Sequence, residues 1–445
     1  MSGLPVNWES AKIGELCQLI NGRAFKPTDW TTSGLPIIRI QNLNRPDANF
    51  NFYDGPVESR FLVEHGDLLF AWSGTPGTSF GAHIWRGSKA ILNQHIFNVR
   101  FDRHSLNTDF LRQAINQTLD EQIAKAHGGA GLAHVTKGRF EDTTLPVPPL
   151  PEQRRIVAKI DSLSTKSSRA RENLDHIPRL VEKYKQAVLA AAFRGDLTGE
   201  WRKQHGRNFS WALTNLGSLL ANIRYGTAKK CSYEGGATPV LRIPNVQLGR
   251  IDPEDMKFAD FDPGEIKKLR LAAGDILVIR SNGSLDLVGR SAVIREAQAG
   301  MLFAGYLIRL RPRQDVVDPD FLHLFLMAPD TRADIENLAK STSGVNNINS
   351  AQLQGLRLAH PERDEQNEIV RRVVHAFNWI DRLAHEAASA RKLVDRLDQA
   401  VLAKAFRGEL VAQDSSDEPA SALLARIAGQ KPPATEKKKR AAQAG

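Results

Sequence analysis

Two stretches of the chain place apolar residues at alternating steps of four and three. The first runs Ile156, Ile160, Leu163, Ser167, Ala170, Leu174, Ile177, Val181, Tyr184 and Val188, with Ser167 its one polar member. The second runs Ile369, Val373, Ala376, Ile380, Leu383, Ala387, Ala390, Val394, Leu397 and Val401. This is the heptad period of a coiled-coil seam. A stripe this narrow calls for a helical partner, and the other stretch is the obvious one; the alternative is that each helix packs on its own domain. Pro178 predicts a kink or break in the first helix, because it lacks an N–H and clashes with the preceding turn. Gly195 and Gly408 read as helix stops. A continuous helix over 364–407 would be roughly 65 Å long at 1.5 Å per residue.

Elsewhere the pattern is that of short strands and shorter helices. Residues 37–40, 67–71, 96–101, 240–243, 275–279 and 307–310 read as strands. Residues 109–125 and 320–340 read as helices that follow strands. Polar, glycine-rich connections such as 73–81 and 281–289 separate them. Gly66-Asp67 and Gly274-Asp275 read as turns leading into strands, and not as catalytic aspartates.

The chain repeats itself. Residues 180–197 and 393–410 are identical at 12 of 18 positions at an offset of 213, and Glu152-Gln153 recurs at that offset as Glu365-Gln366. Weaker echoes precede each copy. Trp8 and Gly14 recur as Trp211 and Gly217, residues 36–40 as 239–243, residues 66–69 as 274–277, and residues 109–111 as 320–322. A period near 210 residues is a duplicated domain pair, not a solenoid. The helical halves kept their sequence, which suits one shared structural task. The globular halves drifted, which suits two different targets. The expected organisation is α+β: a globular domain over 1–150, a helical region over 151–205, a second globular domain over 206–360, a second helical region over 361–412, and a flexible basic tail over 413–445.

Composition adds a little. The net charge of +10 and pI near 9.6 suit a polyanionic partner and, equally, a soluble protein with a basic drift. Two cysteines, Cys17 and Cys231, allow at most one disulfide and fit a reducing cytoplasm. The first ten residues lack the regions of a signal peptide, and the apolar run 321–328 is too short to span a bilayer. A soluble, cytoplasmic protein with no membrane association is expected.

Catalytic patterns are missing. There is no phosphate loop and no nucleophile elbow. His385-Glu386 opens like a zincin helix, but position 389 is Ser389. His127 and His134 have no third ligand nearby. Gly128-Gly-Ala-Gly131 reads as a turn rather than a phosphate cradle. Asp255 with Glu265-Ile-Lys267 mimics a metal-dependent nuclease, yet Pro263-Gly264 before Glu265 is turn chemistry, not a strand. No catalytic, metal or cofactor-binding residue is expected.

Leu145-Pro-Val-Pro-Pro-Leu-Pro-Glu-Gln153 followed by Phe193-Arg-Gly195, with Phe406-Arg-Gly408 closing the second helix, resembles the conserved regions of specificity subunits of type I restriction–modification systems. The likeness covers roughly residues 5–412; the second copy has Leu358-Ala-His-Pro-Glu-Arg-Asp-Glu-Gln366 in place of the proline-rich run. The resemblance implies two target-recognition domains, each reading one half of a bipartite, asymmetric site in double-stranded DNA. It implies two long helices paired as an antiparallel coiled coil with pseudo-twofold symmetry, whose length sets the unread gap. It implies docking of two modification (methyltransferase) subunits and of restriction (translocase/nuclease) subunits. S-adenosylmethionine, ATP and Mg²⁺ then belong to those partners and not to this chain.

On that basis the DNA-contact candidates are polar and basic loop residues. In the first domain they are Arg23, Lys26, Arg39, Ser73, Thr75, Lys125, His134, Lys137 and Arg139. In the second they are Lys229, Lys230, Arg242, Arg280, Asn282, Ser284, Asn346, Asn347 and Asn349. Arg and Asn suit bidentate readout of guanine and adenine in the major groove. Arg39 and Arg242 hold equivalent positions, which favours a shared phosphate contact or a structural role. The rival readings are a stand-alone bipartite DNA-binding adaptor, a self-contained nuclease or methyltransferase, and a coiled-coil scaffold that ignores DNA.

Overall fold

The structure, a computed structural model, describes residues 3–44, 48–74, 78–119, 123, 133–247, 249–340 and 344–430. Its contacts divide the chain into two units, Met1–Glu172 with Arg391–Gly445, and Asn173–Ala390.

In the first unit, an antiparallel sheet runs in the order Gln18–Asn21, Ile96–Arg100, Leu68–Ala71, Gly81–Ile84. A second sheet runs Asn51–Tyr53, Leu35–Ile38, Ala90–Leu92, Leu62–Val63, with Leu35–Ile38 parallel to Ala90–Leu92. Two short ladders complete it: Glu9–Lys12 with Thr144–Val147, and Ser73–Gly74 with Ala133–His134.

The second unit repeats this plan with one strand fewer, the counterpart of Leu62–Val63, in its second sheet. Its antiparallel sheet runs Leu220–Tyr225, Leu307–Pro312, Ile276–Ile279, Ser291–Val293. Its second sheet runs Lys257–Ala259, Thr238–Leu241, Leu302–Phe303, again with one parallel pairing. Ala212–Asn215 pairs with Arg357–His360, and Ser281–Asn282 with Asn346–Asn347. The duplication, faint in the sequence of the globular halves, is nearly complete in their topology.

The central strands are apolar at every position because both their faces are covered. Side chains alternate across a strand. Leu68 and Phe70 enter one core cluster and Leu69 another; Ile276 and Val278 enter one and Leu277 and Ile279 another. The turns before these strands hold Gly66 at φ +89° and Gly274 at φ +86°. The aspartate that follows each accepts a backbone N–H, Asp67 from Glu64 at 2.9 Å and Asp275 from Ala272 at 2.8 Å. These carboxylates fix turns.

The helices depart from expectation in three places. The helix expected over 109–125 is seen as Thr108–Gln117. The one expected over 320–340 is two, Pro319–Met327 and Pro329–Ala339, because Ala328 precedes a proline and adopts extended backbone. The tail expected to be flexible from 413 carries the helix Ala420–Gln430, which buries Ala420, Leu423 and Ile427 in the core of the first unit. The basic run 437–440 lies outside the described residues, as do His127 and residues 128–131.

The long helices follow the sequence closely. Leu150–Asp175 and Ile177–Phe193 are separated at His176, two residues before Pro178, while Arg363–Phe406 is one helix. Gly195 at φ +82° and Gly408 at φ +74° end them. The phenylalanine before each stop seals a globular domain. Phe193 meets Phe321 at 5.2 Å in the second unit, and Phe406 meets Phe110 at 5.5 Å in the first.

The repeated Glu-Gln pair anchors each domain to the helix that follows it. Buried Gln153 accepts the N–H of Asn107 at 2.9 Å and donates to the carbonyl of Pro148 at 2.9 Å. Buried Gln366 accepts the N–H of Asp318 at 2.8 Å and donates to the carbonyl of Pro361 at 2.9 Å. Glu152 takes the indole N–H of Trp8, whereas Glu365 takes Thr198 and Arg202.

The apolar seam is displaced at three positions. Tyr184, Leu383 and Leu397 are 61%, 41% and 53% exposed. Their neighbours Lys185, Ala384 and Asp398 are the half-buried ones. Lys185 pairs with Asp381 at 2.5 Å, and Arg171 with Asp395 at 3.0 Å and with Asp398.

Candidate nucleic-acid interface

Seven of the candidate residues, Ser73, His134, Arg280, Asn282, Ser284, Asn346 and Asn347, gather where the short ladder leaves each central strand. In the second domain the strand Ile276–Ile279 runs into Arg280 and then into Ser281–Asn282, paired with Asn346–Asn347. Arg280 is fixed through its backbone on both sides. Its N–H donates to the carbonyl of Tyr306 at 3.0 Å, and its carbonyl accepts from Ile348 at 2.8 Å. Its guanidinium lies 4.6 Å from the ring of Tyr225, and its Nε donates to Oδ1 of Asn347 at 3.3 Å. Asn346 donates to the carbonyl of Gly283 at 3.1 Å, and Asn282 accepts the N–H of Ser284 at 2.9 Å. Ser284 donates to Asp286. Arg280, Asn282, Ser284, Asn346 and Asn347 thus form one polar cluster.

Beside it lies a groove of about 640 Å³ lined by Lys229, Lys230, Cys231, Arg242, Lys257 and Tyr306, among others. Tyr306, 65% exposed, lines the groove and accepts the backbone N–H of Arg280, so it links the groove to the polar cluster. Burial pushes the Cys231 thiol up against the opposing pull of Arg242, Lys257 and Lys229. Asp255 is held low by the Tyr233 hydroxyl and by Arg242, its partner at 2.8 Å. Lys229 bonds the carbonyl of Asp260 and lies 5.0 Å from the ring of Phe261. The apparent nuclease pattern dissolves here: Asp255 neutralises Arg242, and Glu265 stands on the helix Pro263–Leu269.

Arg39 and Arg242 behave alike. Each gives its backbone N–H to an asparagine side chain, Asn42 at 3.0 Å and Asn245 at 2.8 Å. Arg39 lies over Trp30 at 5.4 Å and Arg242 over Tyr233 at 5.7 Å. Arg39 also lines a smaller cavity with Asn93 and His95, at the place of the groove that Arg242 lines with Ala304 and Tyr306.

The first domain has the same frame with other side chains. The ladder there pairs buried Ser73 with His134. Trp72 stands where Arg280 stands: its N–H donates to the carbonyl of His95 at 3.3 Å, and its carbonyl accepts from Val135 at 3.1 Å. The indole donates to Asn21 at 3.3 Å and lies 5.2 Å from the His95 ring. Asn21 and Tyr225 each precede a glycine with no room for a Cβ, which would fall 2.0 Å from the carbonyl of Asn93 at Gly22 and 2.2 Å from that of Phe303 at Gly226. The close approach fixes the preceding side chain in both copies.

Other candidates lie apart from this cluster. Arg23 stacks over Phe25 and Tyr53 at 5.1 and 4.6 Å. Lys26 is exposed at the start of the turn Pro27–Asp29. Lys137 is tied to the carbonyl of Leu19 at 3.1 Å and to Glu141 at 3.6 Å, and Arg139 is exposed on the same short helix. Asn349 caps the helix Ser350–Gln354 by accepting the N–H of Gln352 at 2.9 Å, so its carbonyl oxygen is committed to structure. Thr75 and Lys125 lie outside the described residues. Sequence reasoning passed over Asn21, Trp72, His95, Tyr225 and Tyr306. A usable signal existed: Trp72 and Arg280 are the unlike residues that follow the repeated Gly-Asp strand at the same offset.

Among the described residues no group of three or more His, Cys, Asp or Glu could hold a metal ion, and no helix is long and apolar enough to cross a membrane. Neither Cys17 nor Cys231 is in a disulfide.

Residues 5–177 match the family described as the type I restriction modification DNA specificity domain. Over 95% of both chains, the protein is 30% identical to the StySPI specificity subunit of Salmonella potsdam. It is 29% identical to the EcoKI specificity subunit of Escherichia coli K12, again over 95% of both. The crystal structure of the HsdS subunit from Thermoanaerobacter tengcongensis shares the fold, with a TM-score of 0.64 at 20% identity over 92% of this chain and 98% of that one. Repeated frame, divergent polar clusters and full-length likeness agree: the chain belongs to the type I restriction enzyme specificity subunits, the non-catalytic DNA-specificity component of a type I restriction–modification system.

Proposed function

We propose that this chain reads a bipartite, asymmetric site in double-stranded DNA, one half with each recognition domain, and docks two modification subunits and the restriction subunits on its helical regions. The observation that carries this reading is the duplicated frame with unlike side chains at matching positions, Trp72 with His95 against Arg280 with Tyr306. One scaffold used twice with different contact chemistry suits two different half-sites. S-adenosylmethionine, ATP and Mg²⁺ would act on the partner subunits.

An antiparallel pairing of the helical regions is supported within each unit. In the second unit Lys185 faces Asp381 and the carbonyl of Leu197 takes Arg372, and in the first Arg155 faces Asp417 and Arg171 faces Asp395, so within each unit one residue number falls as the other rises. Docking is supported by apolar residues exposed on these helices: Tyr184, Trp379, Leu383, Leu393 and Leu397. Exposed aromatic and leucine side chains on a helix face mark contact surface.

The test is to map methylated adenines across the host genome by single-molecule sequencing, with this gene intact and deleted. Loss of one two-part motif of fixed gap on deletion supports the reading. An unchanged methylome rejects it and favours a DNA-binding adaptor that acts without a methyltransferase.

A further inference from the structure

We propose that the residue leaving each central strand, Trp72 in the first domain and Arg280 in the second, is the position that sets base preference, and that Arg280 reads a guanine in the major groove. The inference rests on the DNA-reading function proposed above and names residues within it.

The case begins with backbone geometry. Both residues have N–H and C=O engaged in matching bonds, to His95 and Val135 in one copy and to Tyr306 and Ile348 in the other. The position is therefore rigid in both domains, and only the side chain differs. Each side chain then leans on the residue held by the tight glycine approach: the Trp72 indole bonds Asn21, and the Arg280 guanidinium covers Tyr225. A group held this way on a strand is oriented more accurately than one on a free loop.

Chemistry then separates the two copies. Arg280 uses Nε on Asn347, and its two terminal nitrogens have no hydrogen-bond partner among the described residues. A planar fork oriented from behind and unpaired in front matches O6 and N7 of guanine. The supporting ring is itself anchored: the Tyr225 hydroxyl accepts the N–H of Ser350 at 2.8 Å and lies 3.2 Å from its Oγ. A phosphate contact would need only charge, and would not need the guanidinium plane fixed by a ring on one side and an amide on the other. Trp72 offers no comparable donor fork: one face of its half-buried indole stacks on Phe97 at 5.9 Å and its N–H goes to Asn21, so what it can present is apolar surface, which suits a thymine methyl.

The experiment is selection from a randomised double-stranded DNA library by the purified full chain, comparing wild type with Arg280→Ala, Arg280→Gln and Trp72→Ala. Each variant is first checked for an unchanged thermal midpoint. Wild type should enrich a two-part motif. Arg280→Ala should lose preference at one guanine by roughly 5- to 150-fold, leaving the other half-site intact. Arg280→Gln should shift that position toward adenine, and Trp72→Ala should alter only the opposite half. A wild-type motif that survives unchanged in Arg280→Ala, or uniform weakening across all sequences, overturns the assignment while leaving the proposed function standing. Enrichment of no sequence by wild type rejects the proposed function and this assignment with it. If Arg280→Ala unfolds, Arg280→Gln and Trp72→Ala decide the matter by the same criteria.

Discussion

Gln366 spends each end of a buried amide on backbone groups, accepting from Asp318 and donating to Pro361. Gln366→Ala strands those groups away from water and should cost about 2–4 kcal/mol, read as a fall in the urea midpoint at unchanged slope. His323 makes a second residue-level prediction. It is buried against Ser291, and burial lowers its pKa to about 4. Above pH 6.5 neither folded nor unfolded chain holds the proton. As pH falls from 6.5 to 4 the unfolded chain alone takes it up, so stability is lost over that window. His323→Asn should remove about 2–3 kcal/mol of the loss between pH 7 and 4.5, measured by urea titration at both values. Legibility at this scale was uneven. Arg280, Asn346 and Asn347 were visible as polar loop residues, and they do cluster. Asn349 was indistinguishable from them in sequence because a capping asparagine and a reading asparagine have the same chemistry until the helix is seen. Trp72 and His95 were hidden because they look like core residues.

The helical regions carry predictions of another kind. If their length sets the unread gap, one heptad inserted into each adds about 10 Å of helix, close to the rise of three base pairs. The methylated motif should then widen its gap by about three positions while both halves stay the same. An unchanged gap would detach helix length from spacing. Tyr184→Glu with Leu393→Glu places charge on exposed apolar positions, so folding should be spared and co-purification of the modification subunit reduced at least tenfold. The heptad pattern located both helices, the break before Pro178 and the two glycine stops. It misassigned Leu383 and Leu397 for a physical reason. The seat expected for Leu397 goes to Asp398, which Arg171 holds inward by an ion pair, and the one expected for Leu383 goes to the small Ala384. Hydrophobicity alone does not anticipate a charge that brings its own counterion.

For the molecule as a whole, the net charge of +10 matters through salt. Binding should weaken linearly in log–log form, by about 0.9 per phosphate neutralised. Replacing Lys229 and Lys230 together by alanine should lower that slope by about two without changing the selected motif, the opposite signature to Arg280→Ala. Duplication was the one global feature plain in the sequence. That residues 391–430 complete the first domain was not, because the contacts that do it, Phe406 on Phe110 and Leu423 and Ile427 in the same core, join positions roughly 300 or more residues apart. This closure has a consequence for synthesis. A ribosome adding ~5–20 residues per second delivers residue 391 on the order of ten to forty seconds after residue 172. Throughout that interval the earlier-made domain waits with the apolar face around Phe110 uncovered, while the later-made one has every part it needs once residue 390 emerges. Birth order and folding order are therefore reversed, and nascent chains should recruit holding chaperones during that wait and release them only near the end of translation.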